Sequence, residues 1–359
     1  ILPYNLKSNA QKEFIMENFP WDLNDAPVPV DVEMTHLGIR HSAEEPNAAV
    51  EDRIKCARRT LYALHGPGLQ GMSGLPVTTS VKLYNAYVLP RALYGLESIH
   101  VNDTGRKKLT IMHRHALRCI LGLPERTAIP ALHILSGQIP ISRTLDIKIL
   151  TFLLALLNTN PSHDILLRQY TTKKANSNSL VTTFKAKLRE YSLPSFPDLY
   201  HEPPPKEAWK KQVKKAVYRV TRESMMEEAN SMSSLKYLDR DLEPGAVHPT
   251  VSLVNNPRQV TRACVKARVV CGIYPLQRHR FKMKKTASPK CPLCDDSEED
   301  VEHFIQVFPN LEAQRELYRA RLVSILPDPM AITTTQALLD TRVLLKYHPE
   351  LKQDNLQEI

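Results

Sequence analysis

Apolar positions recur mostly at intervals of three and four along this chain, the period of amphipathic helices. The first 40 residues are the exception. There Val28, Val30, Val32 and Met34 alternate ahead of Leu37-Gly38-Ile39, which predicts strands. Beyond them, Val50, Ile54, Leu61 and Leu64 share one face of a predicted helix that Gly66-Pro67-Gly68 terminates. Thr78, Thr79 or Ser80 offers a cap for a helix through Tyr84 and Val88 that ends near Pro90. Asp103 is the predicted N-cap of a helix with Leu109, Met112, Ala116 and Ile120 inward, closed by Gly122 and Pro124. Residues 141–157 are apolar almost throughout, which predicts a buried helix. Residues 158–205 collect Asn, Ser, Thr and Pro, end on Pro203-Pro204-Pro205, and read as a linker. A basic helix follows, with Trp209, Val213, Val217 and Val220 inward and Lys210, Lys211, Lys214, Lys215 and Arg219 largely outward.

Composition sharpens this helical picture into a class. The chain has 359 residues, 42% hydrophobic and 24% charged, as ordinary globular proteins are. Its net charge of +10 favours polyanionic partners, RNA and DNA foremost. The longest apolar run, Ile149 to Leu157, falls far short of the roughly 20 residues of a membrane span. Six cysteines, two of them as Cys-x-x-Cys, read as reduced thiols with a candidate metal site in an intracellular protein, nuclear or cytoplasmic. Ile1 in place of Met reads as the start of a fragment.

The chemistry concentrates late in the chain. From Pro257 to Lys290 no acidic residue occurs, while Arg258, Arg262, Lys266, Arg268, Arg278, Arg280, Lys282, Lys284, Lys285 and Lys290 do. Val260, Cys264, Ala267 and Cys271 fall on one helical face there, and Arg258, Arg262 and Lys266 repeat every four residues on another. Such a stripe can neutralise phosphates with salt-dependent, sequence-independent affinity, and these ten cations are the predicted nucleic-acid contacts. Cys291-Pro292-Leu293-Cys294 and His303 follow directly. Cys-x2-Cys-x8-His is three-quarters of a zinc knuckle, with two thiolates and an imidazole for one tetrahedral ion. Phe308 stands where the fourth ligand belongs and cannot bind zinc. Either the site borrows Cys271, Cys264 or His279, or it takes a water, or the metal is lost.

Polymerase chemistry needs two close carboxylates to hold two metal ions. Asp239-Arg240-Asp241 sits in a polar loop, and Asp295-Asp296, beside Glu298, Glu299 and Asp300, reads as solvated acid. No phosphate-binding loop, dinucleotide fingerprint or nucleophile–base arrangement is present.

Several motifs in order resemble non-LTR (LINE-like) retrotransposon reverse transcriptases. Asn9-Ala10-Gln11-Lys12 is similar to the late-palm Asn-Pro-x-Lys stretch, and Thr35-His36-Leu37-Gly38-Ile39 to the Tyr-Leu-Gly strand of the primer-grip region. Arg53-Ile54 with Ala57 resembles the first thumb helix. Lys82-Leu83-Tyr84, Leu89-Pro90, Leu93-Tyr94-Gly95-Leu96-Glu97, Leu117-Arg118 and Ile120-Leu121-Gly122-Leu123-Pro124 continue the likeness, and the Cys/His stretch resembles such proteins' C-terminal knuckle. The resemblance implies that Lys12 matches a lysine assisting the leaving group. It also implies that the Asp-Asp strand, with its Mg²⁺, lies upstream of Asn9 with the missing N-terminal polymerase and endonuclease regions.

The expected fold is therefore mainly α. It comprises a strand-bearing palm remnant (1–42), a helical thumb-like domain (43–157), a linker (158–205), and a basic helix and loop (206–250). A basic helix with a degenerate knuckle-like module (251–310) and C-terminal helices (311–359) complete it. The expected function is a nucleic-acid-binding fragment of an RNA-directed DNA polymerase, inactive alone. The alternatives are a stand-alone nucleic-acid-binding or scaffold protein derived from a retrotransposon, and a non-functional decayed product.

Overall fold

The computed structural model describes residues 22–23, 26–27, 32–171, 179–252, 254, 256–295, 297–325 and 335–347. Lys12, Val28, Val30 and the Asn9–Lys12 motif lie outside the described residues. The chain is mostly helical, with two small antiparallel hairpins at the start.

β1 (Asp22–Leu23) pairs with β2 (Ala26–Pro27), and β3 (Glu33–His36) with β4 (Ile39–Ser42) in the register Glu33↔Ser42 to His36↔Ile39. Leu37-Gly38 is thus a two-residue turn and not the strand its motif suggested. Both residues have positive φ, 49° and 74°, which lets the turn follow the right-handed twist of its strands.

The helical body begins at α1 (Ala48–His65), whose Val50, Ile54, Ala57 and Leu61 are buried. α2 (Val77–Leu83) starts on Pro76, so none of Thr78, Thr79 and Ser80 caps it. The chain then passes through a π-turn (Tyr84–Val88) into α3 (Leu89–Leu93), continuing across Pro90. Leu89 donates its N–H to Tyr84, five residues back, and this shift leaves room for a proline that has no N–H to give. α4 (Asp103–Leu121) buries Leu109, Met112, Ala116 and Ile120 as its periodicity requires. Its cap is Asn102, whose side chain accepts from Gly105 N, and not Asp103. α5 (Ile129–Ser136) leads to α6 (Ile141–Leu157), the central helix, on which α4 and later elements pack.

The expected linker is where the structure departs most from the sequence reading. Within 158–205 lie α7 (Asn160–Thr171), α8 (Leu180–Glu190) and α9 (Phe196–His201), all packed on α6. Val181, Phe184, Leu188, Tyr191, Phe196 and Leu199 are buried in the main core. Ser179 and Ser195 each close a capping box, with Thr182 and Asp198, so the polar residues start helices. α10 (Lys206–Asn230) then lays Trp209, Val213 and Val217 onto α6, and Trp209 Nε1 donates to Leu150 O at 2.8 Å. α11 (Pro249–Ser252) and α12 (Pro257–Val270) follow. α13 (Gln277–Lys282), α14 (Glu312–Ile325), α15 (Thr335–Leu339) and α16 (Thr341–Tyr347) complete the described chain.

Two buried polar groupings hold this core to one arrangement. Asp146 on α6 is 1% exposed and meets Arg106 at 2.8 Å, Lys187 at 3.1 Å and the Tyr191 hydroxyl at 2.6 Å. Farther along, Tyr84 Oη lies 2.6 Å from His113 Nδ1, the His113 and His133 rings stack, and His133 Nδ1 reaches Gln138 O at 2.8 Å. Burial pushes His113 well below its usual range and His133 down to about 4. Both rings are therefore neutral when folded, whereas in the unfolded chain they take a proton below about pH 6.5. The unfolded state then binds more protons, so stability falls as pH drops from about 6.5 towards 4. Each histidine contributes about 1.4 kcal/mol per pH unit in that window. Urea unfolding at pH 7 and pH 5 should show the loss, and a His113→Asn/His133→Asn variant should flatten it. Equal pH dependence in both chains would refute the assignment.

Candidate metal centre and basic face

α12 begins on Asn256, whose side chain accepts from Gln259 N, and it buries Val260, Cys264 and Ala267 with Cys271 at its end. This is the face that the spacing assigned to the core. The helix docks where α4 stops. Gly122 closes α4 at φ 61°, and Gly71 approaches so tightly that a Cβ on it would lie 2.1 Å from Gly122 N. Arg268 seals the junction by donating Nε and Nη2 to Gly122 O at 2.9 and 2.6 Å.

Past α13, an antiparallel bridge between Lys290 and Glu298 ties off a tight turn. Cys291 N donates to Ser297 O, Asp295 N to Cys291 O, and Asp295 takes φ 55°, so the segment folds back with both thiols at one end. His303 arrives from a second π-turn (His303–Val307). Its backbone N–H is capped by Asp300 Oδ1 at 2.9 Å, its Nδ1 lies 2.8 Å from Ser297 Oγ, and its Nε2 lies 3.5 Å from Cys294 Sγ.

The ligand atoms of Cys291, Cys294 and His303 all lie within 4.8 Å of one another, close enough to hold a metal ion. With Nδ1–H donated to Ser297 Oγ, the Nε2 lone pair would face the thiols' end, the tautomer that a metal-binding histidine needs. The 3.5 Å edge from Sγ to Nε2 matches the roughly 3.6 Å of a tetrahedron with bonds of about 2.0–2.3 Å. None of the suggested borrowed ligands joins this group among the described residues. Cys264 packs against Gly122 and Cys271 lies in the main core, and burial pushes their thiols up to about 11 and about 12. Burial lowers the His279 pKa, aided by Lys282, Lys285 and Arg126. Phe308 is buried, with its ring tilted against the His303 imidazole at 5.8 Å between centroids.

Ser297 and Asp300 were not singled out in the sequence. Asp300-x-x-His303 is nevertheless an N-cap spacing, a signal that was there to be read. The three acids that follow the Asp295-Asp296 pair are engaged with α13. Arg278 pairs with Glu298 at 3.1 Å and Asp300 at 2.7 Å, and Glu299 accepts from Gln277 N, so they bind α13 to the turn.

The ten predicted phosphate contacts divide accordingly. Lys266 donates to Thr341 Oγ1 at 3.1 Å and burial lowers its pKa, Arg268 is spent on Gly122 O, and Arg278 on Glu298 and Asp300. Arg258 and Arg262 on α12, and Arg280, Lys282, Lys284, Lys285 and Lys290 in and after α13, are exposed. None of these seven makes an ion pair with a described residue. Phe281 is also exposed among them, at 44%.

Comparison of the chain with family models, curated proteins and solved structures finds no match. Among the described residues no helix is long and apolar enough to cross a membrane.

Proposed function

We propose that this chain grips nucleic acid through the backbone, as the C-terminal part of a non-LTR retrotransposon-type reverse transcriptase, with a zinc-binding turn holding the gripping loop in shape. The observation that carries this reading is the exposed set Arg280, Lys282, Lys284 and Lys285, which makes no ion pair with a described residue and flanks the exposed Phe281 along the chain. Cations left without carboxylate partners are solvated until a polyanion displaces their counterions, and an exposed ring beside them suits a base. Their loop is pinned to the Cys291–Cys294–His303 turn by Arg278, so order at the metal centre sets the geometry of the loop. Zn²⁺ is the ion that two thiolates and an imidazole favour, and the fourth place falls to water or an incoming ligand. The ordered motifs from Thr35 to Pro124 supply the family reading, and the positive net charge agrees with it.

Changing Arg280, Lys282, Lys284 and Lys285 to Ala together should weaken binding to DNA and RNA of any sequence. The log–log salt slope should shrink by roughly three units, at about 0.7–0.9 per lost phosphate contact. Fluorescence anisotropy between 50 and 300 mM salt measures it. An unchanged slope would move the grip elsewhere, with the exposed lysines of α10 the next place to look.

A further inference from the structure

We propose that a second site, the groove between α1 and the π-turn–α3 segment, binds a short single-stranded stretch of nucleic acid. Its bases would stack on Tyr87 and Tyr94, and its phosphates would be held by Arg53, Arg59 and Arg91. Two adjoining clefts of about 490 and 240 Å³ form this groove, and they share Arg59 and Arg91 in their walls. Volumes of this order suit a nucleotide-sized ligand.

Among the described residues, three arginines line the groove and no carboxylate does. Arg53 donates to Gly38 O at 2.7 Å with its guanidinium 5.5 Å over the Tyr94 ring, and Arg91 donates to Thr60 Oγ1 at 2.6 Å. These bonds position the two guanidinium groups and leave most of their five N–H donors unspent. Arg59 is exposed and forms no ion pair with a described residue.

The rings decide the class of polyanion. Tyr87 and Tyr94 are 52% and 50% exposed, with Arg53 over the Tyr94 ring, so both keep surface on which a base can stack. An acidic peptide would pair with the arginines and leave the rings idle. A duplex offers phosphates but keeps its base faces stacked inside. A single strand alone presents both, the combination that aromatic platforms in cationic grooves recognise. Tyr87 belongs to the π-turn, a departure from regular helix found frequently at functional sites. No residue of this groove belongs to the 257–290 segment, so its fate is separable from that of the loop.

The test uses the full chain with Arg280, Lys282, Lys284 and Lys285 changed to Ala, so that the loop is silent. Anisotropy then compares a short oligothymidylate with an abasic strand of equal length, a duplex and polyglutamate. The oligothymidylate should bind at least tenfold more tightly than the abasic strand and the duplex. Tyr87→Leu and Tyr94→Leu should each weaken it roughly tenfold, while Tyr87→Phe and Tyr94→Phe retain it. Equal affinity for the abasic strand, or no loss in the leucine variants, would reduce the groove to a plain electrostatic surface and overturn the proposal. Preference for polyglutamate would overturn it in favour of an acidic peptide. Photo-crosslinking of a 4-thiouridine strand to the unmodified chain gives a check free of the alanine changes. Adducts at Tyr87 or Tyr94 support the groove, and adducts confined to 257–290 exclude it.

Discussion

Phe308→Cys is expected to bind Zn²⁺ roughly a hundred- to a thousandfold more tightly than the unmodified chain. Four ligands around structural zinc are worth about 10–16 kcal/mol, so one added thiolate is worth about a quarter of that. The three candidate ligands are already assembled, with His303 oriented by Ser297 and Asp300 and the thiols brought together by the turn. Phe308 sits against the imidazole, so a thiol at this position would stand beside the Cys/His group. Competition with a chromogenic chelator reads the affinity. A matching affinity in the unmodified chain would mean that some other residue already closes the site. Loss of the buried ring also has a cost, so the metal-free variant should be less stable than the parent and the zinc-loaded one more so.

Asp146→Ala should lower unfolding free energy by about 3–5 kcal/mol, the cost of stripping a buried charge from its partners. Arg106 is 16% exposed and Lys187 18%, and without the carboxylate each keeps its charge in a half-dry site. Tyr191 loses the acceptor of its hydroxyl as well. That phenol now titrates far above its usual range, first through burial and then through the Asp146 charge. Urea unfolding compares the two chains. A loss below about 1 kcal/mol would show that solvent enters the network and screens it.

The elements legible in the sequence were those whose apolar spacing stood alone. α4 and α12 carry clean stripes, and α10 sets Trp209, Val213 and Val217 against lysines, so each was visible at once. α8 and α9 were hidden by their own start signals. Ser179, Thr182, Ser195 and Asp198 are cap residues, and caps and linkers draw on the same side chains because both bond their own backbone. The spacing of Val181, Phe184, Leu188 and Tyr191 was present but diluted by the asparagine and serine before it. Spacing also picked out Cys291, Cys294 and His303, which the fold brings together. It could not tell spent cations from free ones, since the partners of Lys266 and Arg268 lie 75 and 146 residues away. Nor could it show the arginine–tyrosine groove, which needs α1 and α3 side by side.

The Arg268–Gly122 bond sets a timetable for the growing chain on the ribosome. α4 is complete once Leu121 has emerged, yet the arginine that bonds the carbonyl of its closing Gly122 is 146 residues further on. At about 5–20 residues per second this is a delay of roughly 7–30 s, far longer than helices take to form. During that interval the Gly71–Gly122 junction is bare, and the half-built core offers the surface that Cys264 and Ala267 later cover. A nascent chain arrested before residue 257 would present that surface to chaperones and proteases. One arrested beyond residue 271, clear of the exit tunnel, would have closed it.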